Sequence, residues 1–483
     1  MTDVAGEPWN TLLGRALEHA LDYREGLRER PVAPDATLLE VAAVLDPQGC
    51  MPKAGRAPLE VLEELVSVAG PGLSASSGPR FFGWVTGGTV PASVAADWMT
   101  SVWDQNAGPA GGAPAACAFE LVALRWIIEL LRLPDSVQGA LVTGASAANF
   151  SALAGARTRV LAAAGWDLER DGLCGAPAPK ILVGCERHDS IDKALRLLGF
   201  GKRALVIVGA DSEGRISASA LRKALTGLSG PVIVCAQAGN VNSGAFDPLT
   251  ELCDAIGEYR GRHGEALAWL HVDGAFGMWA RASERLEHLT AGLELADSWA
   301  TDAHKFLNVP YDSGIVLTRH PRDHRRAFAV TAPYLRSGTA QAGFTPSAFT
   351  PELSRRARGF ALWAALRQLG RQGLDDLVTR SAGLARSLAT QLSDTPGLRV
   401  QNDVVFNQVV VGATAPRGAD AAAFIDELTR GVQADGTCYA TPTNWRGQPA
   451  LRFSVINAET HDEDIRLAAS AVKRVYAELI NRA

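Results

Sequence analysis

Paired cysteines are missing from this sequence. Its seven cysteines are odd in number and form no C-x-x-C pair. That pattern argues against a disulfide framework and against a metal cluster, so no metal is expected and a reducing, cytoplasmic setting fits. Long apolar runs are missing too: none approaches the ~20 residues of a membrane helix. The opening MTDVAGEPWN has an early acid and no basic stretch ahead of an apolar one, unlike a secretory leader. No membrane association is therefore expected. Nor is there a block of one charge sign: 47 basic and 52 acidic residues leave a net charge of −5. Binding to nucleic acid through bulk electrostatics is excluded on that ground. The 48 glycines and 25 prolines are dispersed and no internal repeat is present, which removes collagenous and low-complexity readings.

What is there is an enzyme-sized chain of 483 residues, 47% of them apolar. Residues 1–75 read as helices broken at Pro31, Pro34, Pro52 and Pro58, an arm that lacks a core of its own. GPRFFGWVTGGTVP (78–91) is an aromatic, glycine-rich loop, and FELVALRWIIELLRLP has helical spacing that ends at Pro134. From about 138 to 318, short apolar runs alternate with helical stretches: KILVG (180–184), ALVIVG (204–209), PVIVCA (231–236), ALAWLHVD (266–273) and SGIVLT (313–318). Continuous apolar runs between helices predict a mainly parallel sheet covered on both faces, with ligands at the carboxyl ends of its strands. Beyond about 375, shorter strand and helix units predict a small α+β domain. The divisions expected are an arm over 1–90, a large domain over 91–375 and a small domain over 376–483.

Four loops of this sheet carry the chemistry. LVTGASAANFSALAGAR (141–157) runs from a strand through Gly144, Ala145 and Ser146 into a helix, where backbone amides and the helix dipole can receive a phosphate. ERHDSIDKAL (186–195) places His188 between a strand and a helix; a polar loop or capping role is its plainer reading. WLHVDGAFG (269–277) ends an apolar strand on Asp273, a carboxylate that needs a positive partner, with a structural arginine as the ordinary choice. DSWATDAHKFLNVPYDSG (297–314) sets Lys305 after His304 in a polar loop between two strand-like runs. Most lysines are solvated, but Phe306, Leu307 and Val309 give this one an apolar setting that can lower an amine pKa and make it a nucleophile.

A phosphate turn, a stacking imidazole, a carboxylate for a pyridinium and a Schiff-base lysine together suit pyridoxal 5′-phosphate. At VTGASAANFSALAGAR, HDSIDKA, HVDGAFG and DAHKFLNVPYD the sequence resembles the pyridoxal-phosphate-dependent group II amino-acid decarboxylases, among them the aromatic amino-acid and glutamate decarboxylases. The resemblance implies an α/β fold of type I: a mainly parallel seven-stranded sheet flanked by helices, an N-terminal arm and a small C-terminal α+β domain. It implies a homodimer with the active site at the subunit interface, acting on a small-molecule amino acid. By it, Lys305 forms the Schiff base, Asp273 pairs with the ring nitrogen, and His188 stacks on the ring and can move protons. Ala145, Ser146 and His304 serve the phosphate, Ala275 packs beneath the ring, and Asn240 and Asp302 lie near the cofactor. Carbon dioxide would leave through a quinonoid intermediate to give an amine.

Phe81, Phe82 and Trp84 match the family's pocket loop and favour an aromatic or apolar substrate, unless they only bury an interface. Arg452 in LRFSV could meet a substrate carboxylate or stand in a strand-surface ion pair. One departure is plain. The loop 334–354 has no tyrosine after Tyr334, where the aromatic decarboxylases carry one that protonates carbon; Phe344, Pro346 and Phe349 stand nearby. Either another acid serves or the reaction ends differently, as an aldehyde. An aminotransferase, a carbon–carbon lyase or a non-catalytic homologue are the remaining alternatives.

Overall fold

The computed structural model describes residues 8–328 and 344–482. The described chain opens with helices α1 (Trp9–Glu25), α2 (Leu38–Leu45) and α3 (Pro58–Ala69), none with a fully buried residue. Thr37 and Glu40 cap α2 reciprocally through side chain and backbone. Helices α4 (Pro91–Trp103) and α5 (Pro114–Leu130) each begin on a proline, which has no amide to leave unsatisfied there.

Strand β1 (Gln138–Val142) then leads into α6 (Ala145–Ala163), followed by α7 (Leu168–Asp171). The chain continues through β2 (Lys180–Gly184), α8 (Asp189–Leu197), β3 (Leu205–Val208), α9 (Ala218–Thr226), β4 (Val232–Gln237) and α10 (Leu249–His263). Strands β5 (Ala268–Asp273), β6 (Ser298–Asp302) and β7 (Gly314–Thr318) complete a seven-stranded sheet in the order β1-β7-β6-β5-β4-β2-β3. Strands β2 to β6 pair in parallel, while β7 runs antiparallel to both of its neighbours. The sheet is thus mainly parallel, as expected, and its apolar runs are buried on both faces except in edge strand β3, where Ile207 is 54% exposed.

Helix α11 (Pro321–Phe328) follows β7. Helix α12 (Gly359–Ser393) kinks at Gly370, whose φ of 60° lies in the left-handed region. The boundary expected near 375 falls inside this helix, just past that kink. A second, antiparallel sheet of order β10-β11-β9-β8 closes the chain, from β8 (Leu398–Val400), β9 (Gln408–Ala413), β10 (Thr441–Trp445) and β11 (Gln448–Ser454). It packs with α13 (Ala421–Ala434), α14 (Asp462–Arg482) and the end of α12 around its own core, which includes Leu388, Val409, Leu428, Phe453 and Val472. Phe82 joins that core and bonds Tyr439 and Ser454 through its backbone, so the loop after the arm is stitched to the second sheet.

Candidate active site

The carboxyl ends of β1, β2, β4, β5 and β6 meet at one cavity of about 780 Å³, reached also from the second sheet by Thr443, Asn444 and Arg452. This is the crevice a parallel sheet offers to ligands. Ala145, Ser146, His188, Asp273, Ala275, Asp302, His304 and Lys305, widely separated in sequence, all face it.

Asp273 ends β5 and is nearly buried. Its Oδ2 accepts from Asn149 Nδ2 at 2.9 Å and its Oδ1 from the Ala275 amide at 3.2 Å. Among the described residues Asp273 forms no salt bridge, so the structural arginine of its plainer reading is not its partner. A buried carboxylate that borders a cavity and has no cation paired to it suits a ligand that brings a positive N–H of its own.

Lys305 lies in the loop after β6, its side chain 17% exposed and its Nζ 3.0 Å from Asp302 Oδ2 and 5.8 Å from the centre of the Phe276 ring. It is not a solvated surface lysine. Its loop is packed by backbone: a Cβ on Gly87 would sit 2.1 Å from the Lys305 carbonyl oxygen, so only glycine fits at that approach. Gly314 and Gly144 meet just as closely where β7 passes the turn into α6, a Cβ on Gly314 falling 2.4 Å from the Gly144 Cα.

At the other end of the cavity α6 starts on Gly144, which has no side chain to cap it. The Ala145 amide donates to Asp302 Oδ1 at 2.6 Å. His304 Nε2 is 3.5 Å from the same oxygen, and its Nδ1 accepts from the Ser313 amide at 3.2 Å. Its ring stacks on Tyr311 with centres 4.3 Å apart. Burial holds His304 below the ordinary imidazole range. His188 caps α8 with its side chain, Nδ1 accepting from the Ser190 amide at 3.2 Å while its ring borders the cavity. The capping reading and the cavity reading of His188 therefore hold together.

Other expectations move. Phe81 is buried against Leu27, Val32 and Ala75 and stacks on Tyr439 at 4.7 Å, and Phe82 belongs to the second sheet's core. Neither lines the cavity, because the backbone pairing with Tyr439 and Ser454 turns both rings into cores. Only Trp84 of the three reaches the cavity, 59% exposed. Trp84 and Val85 both hold left-handed backbone, with φ of 49° and 59°, a strained pair of the kind that collects at ligand sites. Asn240 stands behind the wall rather than in it: Nδ2 donates to the Glu186 carbonyl, and Oδ1 accepts from the Asn242 and Ser243 amides. Tyr334 lies outside the described residues. Pro346 and Phe349 are buried, Phe349 beneath His324, and Phe344 borders a separate groove along α5, so none of the three lines this cavity.

Two asparagines went unremarked in the sequence. Asn149 contacts Asp273 from inside α6; its signal was a lone amide in a helix of small apolar residues. Asn308 is fully buried at a φ of 50°, a conformation asparagine tolerates. Its Oδ1 accepts from the Gly88 and Ala458 amides at 2.9 Å, and its Nδ2 reaches the carbonyls of Phe306 and Ile456. It joins the lysine loop, the glycine-rich loop and the chain after β11.

The donor set fits pyridoxal 5′-phosphate. Asp273 would hold the ring nitrogen, Lys305 the cofactor's carbonyl carbon, and the start of α6 its phosphate, while Asp302 sets one carboxylate beside that anion.

Comparison with known proteins agrees. The sequence model of the pyridoxal-dependent decarboxylase conserved domain matches residues 47–412. An aromatic-L-amino-acid decarboxylase of Bacillus atrophaeus is 26% identical, over 99% of this chain and 97% of its own. An L-2,4-diaminobutyrate decarboxylase of Rhizobium meliloti is 28% identical, over 81% and 76%. A solved structure of Oryza sativa TDC with PLP and tryptamine superposes with a TM-score of 0.88 at 24% identity, covering 98% of this chain and all of that one. Mouse CSAD superposes at 0.84 with 22% identity, over 96% and 98%. With the family model covering most of its length and this geometry behind it, the chain belongs to the pyridoxal-dependent decarboxylases.

Proposed function

We propose that this decarboxylase acts on an L-amino acid with an aromatic or apolar side chain, releasing CO₂ and the corresponding amine. The observation that carries the reading is the cavity itself, where Lys305, Asp273 and His188 converge and Trp84 supplies an exposed aromatic wall. Bound pyridoxal 5′-phosphate supplies a conjugated ring that takes up the electron pair left on the α-carbon as CO₂ departs. Asp273 would hold the ring nitrogen through its carboxylate, His188 borders the cavity as a group able to deliver the replacing proton, and Trp84 would orient the substrate side chain. Aromatic-amino-acid relatives spanning nearly the whole chain support this substrate class.

A second reading, an acidic side chain, is favoured by Arg452. Its guanidinium faces the cavity, finds among the described residues only the Val241 carbonyl and Asn242 at 3.3 and 3.4 Å, and is pushed down to about 10 by burial. Such a cation would welcome a carboxylate.

Reconstitution with pyridoxal 5′-phosphate and an amino-acid panel, scored together for CO₂, amine, aldehyde, ammonia and peroxide, separates these readings. Amine from aromatic substrates without peroxide is expected; aldehyde with peroxide would replace the amine reading, and turnover only of acidic substrates would transfer specificity to Arg452. Lys305→Ala should lower turnover by on the order of 10³-fold or more; retained turnover would remove Lys305 from the chemistry.

We further infer that the working unit is a homodimer with the site near the interface, supported by the apolar faces that the arm and α4 leave open.

A further inference from the structure

Behind Asp273 runs a line of hydrogen bonds whose direction is fixed. Trp269 Nε1–H can only donate, and it does so to Ser298 Oγ at 2.8 Å. Ser298 Oγ lies 2.9 Å from His271 Nδ1, and His271 Nε2 lies 2.8 Å from Asn149 Oδ1. At the far end Asn149 Nδ2 is 2.9 Å from Asp273 Oδ2 and 3.1 Å from Ser190 Oγ, and Ser190 Oγ is 2.9 Å from His188 Nδ1. The Asp273 carboxylate accepts only, so Asn149 must turn its NH₂ toward it and its oxygen toward His271. His271 must then carry its proton on Nε2 and accept from Ser298 through Nδ1. Burial agrees, pushing the His271 imidazole down to about 4, so it stays neutral. Every member except His188 is fully buried or nearly so.

We propose that Asn149 is the positioning residue of the active site: one NH₂ group orients the Asp273 carboxylate and, through Ser190, supplies the hydroxyl hydrogen bond that joins the Ser190 amide in holding His188 as the Nε2–H tautomer. Both hydrogens of that amide are committed, one to each branch. His188 Nδ1 takes the Ser190 amide as well, so its lone pair is turned into the protein and its Nε2–H is the free donor. Asp273 and His188 are thereby linked through a single side chain that lies outside the cavity lining. The inference rests on the pyridoxal-phosphate reading of the cavity for its consequence, but its hydrogen-bond directions exist without the cofactor.

The test starts with cofactor-free protein labelled with ¹⁵N-histidine, where long-range ¹H–¹⁵N correlations report the tautomer of each ring. His188 and His271 are assigned by their loss in His188→Asn and His271→Asn. Both should be Nε2–H; a His188 protonated on Nδ1 overturns the proposal. In Asn149→Ala the dissociation constant of pyridoxal 5′-phosphate should rise about tenfold, and the pH midpoint of the bound cofactor's absorbance should shift. A folded Asn149→Ala with a constant within twofold of wild type and an unmoved midpoint overturns it. Ser190→Ala removes only the second branch and serves where Asn149→Ala fails to fold. It should bind the cofactor within twofold of wild type and, with the backbone amide at position 190 still donating to Nδ1, keep the Nε2–H tautomer, but the His188 Nδ1 ¹⁵N shift should move as the hydroxyl bond is lost; an unmoved shift refutes the coupling. A wild-type protein that binds no pyridoxal 5′-phosphate would instead refute the cavity reading, leaving the tautomers as measured.

Discussion

Asp302 is where one residue's charge opposes another's task. Its carboxylate occupies the Ala145 amide at the start of α6 and pairs with Lys305, so it stands between the proposed phosphate seat and the amine. Asparagine keeps an acceptor for the Ala145 amide and removes the charge. Asp302→Asn should therefore bind inorganic phosphate and pyridoxal 5′-phosphate about three- to fivefold tighter, and less so as salt is raised. Fluorescence titration at two ionic strengths measures this; weaker binding would mean that the pairing with Lys305 outweighs the repulsion. At this scale the sequence was legible at strand ends: Lys305, Asp273 and His188 could be picked out by residue type and place, and they border one cavity. It was misleading at Phe81 and Phe82. Three aromatics within four positions look alike in a string, and only backbone pairing with the second sheet decides which ring turns inward to a core and which faces a ligand. Asn149 was silent because a buried amide announces nothing until its partners are known.

Among the elements, α11 offers a measurable titration. His324 is fully buried there, donates through Nε2 to the Phe349 carbonyl at 2.9 Å, and is pushed down to about 4 by burial. Between about pH 6.5 and 4 the unfolded chain binds a proton that the folded ring refuses, so this contribution is intact above pH 6.5 and is lost as pH falls. By pH 5 the loss is about 2 kcal/mol. His271 acts in the same sense, whereas Asp247, pushed up to about 7 by burial, acts in the opposite one. The difference between variants isolates the element. His324→Gln keeps a donor for Phe349 and should flatten the fall in unfolding free energy between pH 7 and 5 by about 2 kcal/mol, read by urea denaturation at each pH; a parallel profile would show that the folded ring takes up its proton over the same range as the unfolded chain. The strands divide in the same physical way. β2, β4, β5 and β7 were legible because they are buried on both faces and so are continuously apolar. β6, SWATD, read as loop because Ser298 and Thr301 interrupt it, although Ser298 is buried and bonded to Trp269 and His271. β10, TPTNW, is an edge strand with polar residues on its open face. Tertiary hydrogen bonds, which a string does not display, make both of them strands.

For the whole molecule the arm carries the argument. Helices α1, α2 and α3 bury no residue fully, yet Trp9, Leu13, Leu17 and Leu21 recur every fourth residue along α1, with Trp9 76% exposed. The opposite side of α1 is fixed: Arg15 and His19 both bind Glu63 of α3, so the apolar stripe is held outward. Trp98, Met99, Val102 and Trp103 of α4 add a second exposed apolar run. A soluble monomer rarely leaves that much contiguous apolar surface open, and a two-fold pairing would cover both runs with copies of themselves. Charge on the stripe should then separate the subunits without disturbing either sheet, since Leu13 and Leu17 belong to no core cluster. Leu13→Glu with Leu17→Glu is expected to move the sedimentation coefficient from that of a dimer to that of a 51.0 kDa monomer at micromolar concentration, with an unchanged far-ultraviolet circular dichroism spectrum. If the site lies near the interface, the same variant should also bind pyridoxal 5′-phosphate more weakly than wild type. A dimer that persists would place the interface elsewhere, and a monomer with undiminished cofactor affinity would show that each subunit completes its own cavity.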